Sequence, residues 1–415
     1  MRKASPSHTR RGTLREEFYR NVKKNWARMQ TNKEMDSGCA AHLDWVDAVR
    51  IVACVFVLMQ HCSDPFYTDF NMQAGKFFAG VGIASLSRPA VPLFVMMTGL
   101  LLLPTRGDIT SFYKKRITRI VVPLAFWSLV LPWIDFAWIG HAWNTTNPAL
   151  DLGDYSLQAT LRKCYTFPLN FNYSTTPFWY LYMLIGLYLV MPVLSGWMRQ
   201  ASKREIQVVL CVWLMTTLLP YIRFVAPLLG YAGNFGNMGL LGENDWNVVG
   251  TFYYMSGFVG YLLLGYYLRR YPLGWSMKRT LAVFVPLLLA GYAVTFGGYV
   301  WMNSHFPGQY NYLEIVWWTC GINVLMQTVS VFVIMQRWLA ERTLPYVICQ
   351  IAILAFGIFL VHFPVAQITF DLSAEYLSAV PAVLRIVVDI IATFVVSALI
   401  AKLFYSWRVT RRLVA

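Results

Sequence analysis

Apolar runs of about twenty residues recur along the chain from residue 43 to residue 404, separated by short polar connections. Twenty residues is the length a helix needs to cross a hydrocarbon core about 30 Å thick. On that rule the pattern predicts spans near 43–63, 86–103, 117–138, 177–196, 205–222, 250–268, 280–302, 314–336, 344–366 and 380–404. The expected fold class is all-α, a polytopic membrane protein with about ten transmembrane helices. Three segments are expected: a basic leader at 1–42, a transmembrane domain at 43–404 and a basic tail at 405–415.

Composition narrows this further. The 415 residues are 57% hydrophobic and 13% charged, about half the charged share of a soluble domain. A net charge of +15 raises the question of nucleic acid, but the basic residues lie between apolar runs. No basic face or binding motif accompanies them, so no nucleic-acid partner is expected. Their placement follows membrane topology instead. Of 35 Lys and Arg, 28 fall in the leader, the tail and every second connection, against four, Lys76, Arg162, Lys163 and Arg223, in the others. The excess of cations in cytoplasmic loops then predicts that both termini are cytoplasmic.

The leader has ten Lys or Arg and no apolar core of signal-peptide length. Residues 15–29 within it read as a basic amphipathic helix or as part of a disordered tail. The seven cysteines show no metal-ligand spacing, and no metal is expected. Cys62 and Cys164 fall at the predicted outer face, where a disulfide is open but not implied. The long outer connections, 139–176 and 223–249, are rich in Asn, Gly and aromatic residues. Such loops suit sugar rings, although an interfacial aromatic belt has the same composition.

The first span carries the chemistry. Ionisable groups inside a span are costly, which makes each a functional hypothesis. LDWVDAVRIVACVFVLMQHCSD holds Arg50 and His61, eleven residues apart and so about 20° around and roughly 16 Å along one helix face. Asp47 lies one turn before Arg50 and Asp64 one turn after His61, giving each basic group a carboxylate on the same stripe. The plainer reading is that Arg50 and Asp47 form an ion pair that holds helices together while His61 is an interfacial packing residue.

Arg50 and His61 match the R-x10-H signature of the first membrane helix in the acyltransferase-3 family of membrane O-acyltransferases, which this sequence resembles. RPAVPLFVMMTGLLLL at 88–103 is similar to the family's second helix, with Thr98-Gly99 where a Ser-Gly step is usual. FYKKRITRIVVPLAFWSLV, FWYLYMLIGLYLVMPVL and FGIFLVHFPV resemble later segments in the same order. The basic leader has no counterpart in that pattern.

The resemblance implies acyl-CoA as cosubstrate, acetyl-CoA by default, with no permanently bound cofactor, and a hydroxyl of a carbohydrate or glycolipid on the outer face as acceptor. Lys114, Lys115, Arg116 and Arg119 are candidates for the donor's phosphates, though topology alone also places cations there. Arg50 is a candidate for the pantetheine, phosphate or thioester oxyanion, His61 for the general base or an acyl carrier, and Asp64 for orienting the imidazole. Arg88, expected at the outer end of the second span, Trp179, Glu314 and His362 are acceptor-side or cavity candidates. Partners are then acyl-CoA, the acceptor and the bilayer, and the membrane is expected to be a bacterial inner membrane. A transporter or flippase of a lipid-linked sugar is the rival reading, expected to show Gly/Pro-broken spans in two matching halves.

Overall fold

A computed structural model describes residues 44–143, 145–231, 239–244, 247–339 and 342–415. The leader, its 15–29 stretch, Asn144 and part of the 223–249 loop lie outside the described residues. The fold is all-α. Nine helical runs among the described residues are long and apolar enough to cross a membrane by length and composition.

The helix α1 (Asp44–Ser63) is the axis of the bundle. It packs against α2 (Gly75–Ser87), α3 (Ala90–Leu102), α12 (Ile322–Leu339), α13 (Tyr346–Tyr376) and α14 (Ala382–Ser406). Neighbours on several sides explain why Val49, Ala53 and Leu58 are fully buried and why the helix is apolar almost all round. At the periphery, Leu289, Ile391, Leu399 and Leu403 are exposed, as befits surfaces that meet lipid tails. The remaining long helices are α4 (Ile109–Ala137), α6 (Trp179–Met198), α7 (Lys203–Thr216) continuing into α8 (Leu219–Val225), and α10 (Met277–His305). Shorter elements are α5 (Leu157–Thr166), α9 (Val259–Arg270) and α11 (Tyr310–Trp317).

Two expectations change. The sixth predicted span, 250–268, holds only the 12-residue α9, about 18 Å of helix. Gly257 sits at φ +77, a left-handed turn that keeps the preceding residues out of the helix. The second span begins at Gly75 rather than residue 86 and runs to Leu102 with a bend at Arg88-Pro89. Proline offers no N–H to the preceding turn, so the helix bends there. Arg88 therefore sits in the interior of the run, not at its outer end.

The short α9 is held by backbone contact. A Cβ on Gly99 of α3 would lie 2.0 Å from the Leu262 carbonyl oxygen, and one on Gly265 would lie 2.0 Å from that of Met96. Small residues permit such close crossing where no hydrophobic force drives helices together. The Thr98-Gly99 step is thus a contact point between helices. Arg269 adds a bond from Nη1 to the Leu100 carbonyl, 2.6 Å.

Buried polar pins fix the remaining walls. Asn323 on α12 donates to Thr295 Oγ1 of α10, 2.8 Å, and to the Val316 carbonyl of α11, 2.6 Å, and accepts from the Tyr221 hydroxyl, 2.8 Å. Asp371 on α13 accepts from Trp138 Nε1, 2.8 Å, Thr145 Oγ1, 2.6 Å, and Gln367 Nε2, 2.9 Å, which clasps the segment after α4 against α13.

Candidate functional site

The far end of α1 opens into a cavity of about 560 Å³, within the range of small-molecule sites. His61 and Asp64 line it, with Gln60, Tyr67 and Arg88 beside them. A single helical turn brings the imidazole to the carboxylate: His61 Nδ1 lies 3.0 Å from Asp64 Oδ2. An ionised carboxylate only accepts, so Nδ1 carries the proton and Nε2 is the basic nitrogen of the neutral ring.

The other carboxylate oxygen is equally occupied. Asp64 Oδ1 accepts from Gln60 Nε2 at 3.0 Å and from the Tyr67 hydroxyl, and Gln60 Nε2 also lies 3.1 Å from that hydroxyl. Gln60 Oε1 is 3.2 Å from Ser87 Oγ on α2, which ties the arrangement across two helices. Burial first, and the charge of Asp64 next, hold the Tyr67 phenol well above its ordinary value, so it stays a donor. Asp64 thus has one oxygen anchored and the other committed to the imidazole.

The walls are aromatic. Trp317 stacks on Tyr299 with centroids 3.8 Å apart and takes the edge of Tyr67 at 5.2 Å. The Arg88 guanidinium lies 3.8 Å from the Trp317 ring centroid, a desolvated cation–π contact. Its Nε is buried with no hydrogen-bond partner among the described residues. His61 packs against Phe363 at 5.1 Å and His362 at 5.3 Å. His362 is fully buried behind it, with Nδ1 2.7 Å from the Phe359 carbonyl and Nε2 without a partner among the described residues.

Of the residues singled out in the sequence, His61, Asp64, Arg88, Trp179 and Glu314 therefore meet at one cavity, and His362 forms the layer behind it. The others lie elsewhere. Arg50 is on the same helix but pairs with Asp47, Nη1 to Oδ1 2.5 Å, and does not line the cavity. Lys114, Lys115 and Arg119 are exposed on the early turns of α4, where Arg116 is half-buried and, like Arg119, close to Tyr188. These four are also absent from the cavity wall. Neither Cys62 nor Cys164 is in a disulfide; Cys62 is buried with Sγ 3.5 Å from Thr393 Oγ1.

Sequence reasoning missed Gln60, Tyr67, Tyr299 and Trp317. Gln60 carried a readable signal, an amide in an apolar span four residues before Asp64. Tyr299 and Trp317 carried none, because a tryptophan or tyrosine in a membrane helix is ordinary until its neighbours are known.

Among curated proteins and among solved structures, none matches the chain. The family model described as an acyltransferase domain matches residues 43–402, a stretch that contains every residue of the cavity. The chain belongs to the acyltransferase-3 family and is an integral membrane acyltransferase.

Proposed function

We propose that the protein is an O-acyltransferase that carries an acyl group, acetyl by default, from acyl-CoA on the cytoplasmic face to a hydroxyl of a carbohydrate or glycolipid on the opposite face of a bacterial inner membrane. The observation that carries this reading is the His61–Asp64 couple opening onto an aromatic cavity. An imidazole held by a carboxylate on Nδ1 offers its other nitrogen as a base. Tyrosine and tryptophan faces, with Glu314 and Thr176 on the same wall, suit a sugar ring with its apolar C–H faces and hydroxyl rim.

In the reaction, the acceptor oxygen attacks the thioester carbonyl carbon while His61 Nε2 takes the hydroxyl proton. The carbon–sulfur bond then breaks, and the same proton passes to the departing sulfur of coenzyme A. Asp64 steadies the imidazolium between these steps. Arg88, which has a buried N–H to spare, is suited to the oxyanion or to a carboxylate on the acceptor. Arg50 and the Lys114, Lys115, Arg116 and Arg119 group belong to the donor side in this reading, about 16 Å along α1 from His61. The donor's extended pantetheine arm is the part that spans this distance.

The test is mass analysis of the surface polysaccharide or glycolipid in cells lacking the protein and in cells carrying His61→Ala. Loss of one acyl unit per repeat in both supports the reading. Unchanged acylation with accumulated cytoplasmic precursor supports a transporter instead, and full acylation in the His61→Ala strain removes the base assignment.

A further inference from the structure

The carboxylate that holds the imidazole stands on a short piece of backbone. The helix α1 ends at Ser63, and Asp64, Pro65 and Phe66 form a single 3₁₀ turn. Such turns have poorer hydrogen-bond geometry than an α-helix. Pro65 has no N–H to contribute, and no side chain caps the start of the turn. The direction of the Asp64 carboxylate is therefore set by what packs against the turn.

Two supports meet there. The first is α2, where a Cβ on Gly80 would lie 3.0 Å from Phe66 Cβ and 3.0 Å from Tyr67 Cδ1, so only a residue without a side chain lets the helix come this close. The second is the seat of Phe66, which is 2% exposed and buried with Phe370 of α13 and Ile386 of α14. The two phenyl rings meet edge to face with centroids 5.7 Å apart. Arg385, on the first turn of α14, covers both: its guanidinium lies 4.8 Å from the Phe66 centroid and 4.9 Å from that of Phe370, cation–π contacts with each ring.

Arg385 is itself held in place. Its Nε donates to Ser373 Oγ of α13, 2.9 Å, and that oxygen lies 3.1 Å from Oδ2 of the buried Asp389, one turn further along α14. An arginine at the edge of a span is costly, which makes it a functional hypothesis, yet none of Arg385, Phe66, Ser373 and Asp389 lines the cavity. A residue that only joined α13 to α14 would need no partner beyond Ser373 and Phe370. The contact with Phe66 ties Arg385 to the turn that carries the carboxylate.

We infer that Arg385 is a positioning residue for the reaction: through Phe66 it fixes the turn from Asp64 to Tyr67, and with it the carboxylate that holds His61 Nδ1. The inference rests on the proposed His61–Asp64 couple and adds a group outside the cavity that governs it. The path is short. Phe66 is the second residue after Asp64, and Tyr67, the next in the chain, donates its hydroxyl to Asp64 Oδ1. A shift of the Phe66 ring thus moves the carboxylate and its anchor together. Such a shift slows proton transfer at His61 Nε2 and leaves the cavity wall as it was, so it lowers kcat and spares KM.

The experiment uses membranes containing the full-length protein, radiolabelled acetyl-CoA, and the surface polysaccharide of the producing cell freed of acyl groups by mild alkali. Label transfer and coenzyme A release are both followed. Arg385→Gln should lower kcat at least about tenfold, since a misplacement of about 1 Å can cost on the order of 10²-fold, with KM for both substrates within about twofold of wild type. Phe66→Leu keeps an apolar side chain but removes the ring beneath the guanidinium, and it should do the same; it carries the test if the Arg385 variant fails to accumulate. In an Asp64→Asn background each change should cost less than about twofold, because the alignment it maintains is already lost. An unchanged kcat, a loss confined to KM, or an undiminished loss in the Asp64→Asn background overturns the role of Arg385. Asp64→Asn alone at the wild-type rate overturns the His61–Asp64 reading beneath it, and Arg385 with it. Coenzyme A release without labelled polysaccharide overturns the carbohydrate acceptor, while the Arg385 comparison is still read from the release rate. A wild type that releases no coenzyme A overturns both.

Discussion

Replacing Asp64 by Asn tests the core of the proposed mechanism while changing the side chain's shape hardly at all. In the native arrangement Oδ1 accepts from Gln60 Nε2 at 3.0 Å and from the Tyr67 hydroxyl, while Oδ2 lies 3.0 Å from His61 Nδ1. An Asn side chain has one acceptor oxygen, and two donors already point at the Oδ1 position. Its amide oxygen stays there, and its NH2 group faces His61 Nδ1. An NH2 group donates, so the imidazole is driven into the tautomer that carries its proton on Nε2. The nitrogen left for the acceptor hydroxyl is then no longer a base. A tautomer error of this kind in the Ser-His-Asp triad costs about 10⁴-fold in kcat, and the Asp64→Asn variant should lose roughly 10³-fold or more for the same reason. The assay is single-turnover transfer from radiolabelled acyl-CoA in purified, detergent-solubilised protein, with a gel-filtration profile to show that it is folded. A rate within about threefold of wild type would refute the argument, because the carboxylate would then have no bearing on the imidazole. Gln60→Leu and Tyr67→Phe each remove one Oδ1 donor and leave Oδ2 in place, so each should cost only about tenfold. Their double variant should depart from additivity, since both anchor the same oxygen.

Arg88→Lys keeps the charge but replaces a flat guanidinium on Trp317 with an ammonium that cannot stack. kcat/KM should fall at least about tenfold, and an unchanged value would free Arg88 from the site. Gly265→Val places a Cβ 2.0 Å from the Met96 carbonyl oxygen, which only separation of α3 and α9 relieves. The detergent-solubilised protein should lose on the order of 3 kcal/mol or more, or fail to accumulate, and a melting temperature equal to wild type would show that the crossing is looser than described. Asp371→Leu removes the acceptor for Trp138, Thr145 and Gln367. Each stranded donor costs about 1–3 kcal/mol, so the segment near residues 145–149 should become a cleavage site in limited proteolysis, and continued resistance would count against the clasp.

Hydrophobic run length alone determined the all-α membrane class, because the bilayer's thickness fixes how many residues a helix needs. It misplaced boundaries where small residues dilute the signal. The stretch GKFFAGVGIAS belongs to the second run, yet its glycines and Lys76 lower its apparent hydropathy, and Arg88 was consequently put at an end instead of in the interior. Run length likewise gave α9 a full span, although Gly257 at positive φ limits it to twelve residues.

The site divided along similar lines. Helical periodicity placed Asp64 within reach of His61, because i and i+3 share a face in any α-helix. Costly charge in an apolar span singled out Arg50, Arg88 and His362, but cost does not say where a side chain meets its neighbours. The same periodicity paired Arg50 with Asp47, and only the tertiary packing decided that Arg88 lies on Trp317 beside the imidazole while Arg50 is left off the cavity wall. Tyr299 and Trp317, 18 residues apart on different helices, become one wall through the pins at Asn323 and Thr295. One-dimensional patterns carry the contacts a single helix makes with itself and with lipid. The contacts between helices depend on where small residues let backbones meet and on which buried amides find partners, and those are properties of the assembled bundle.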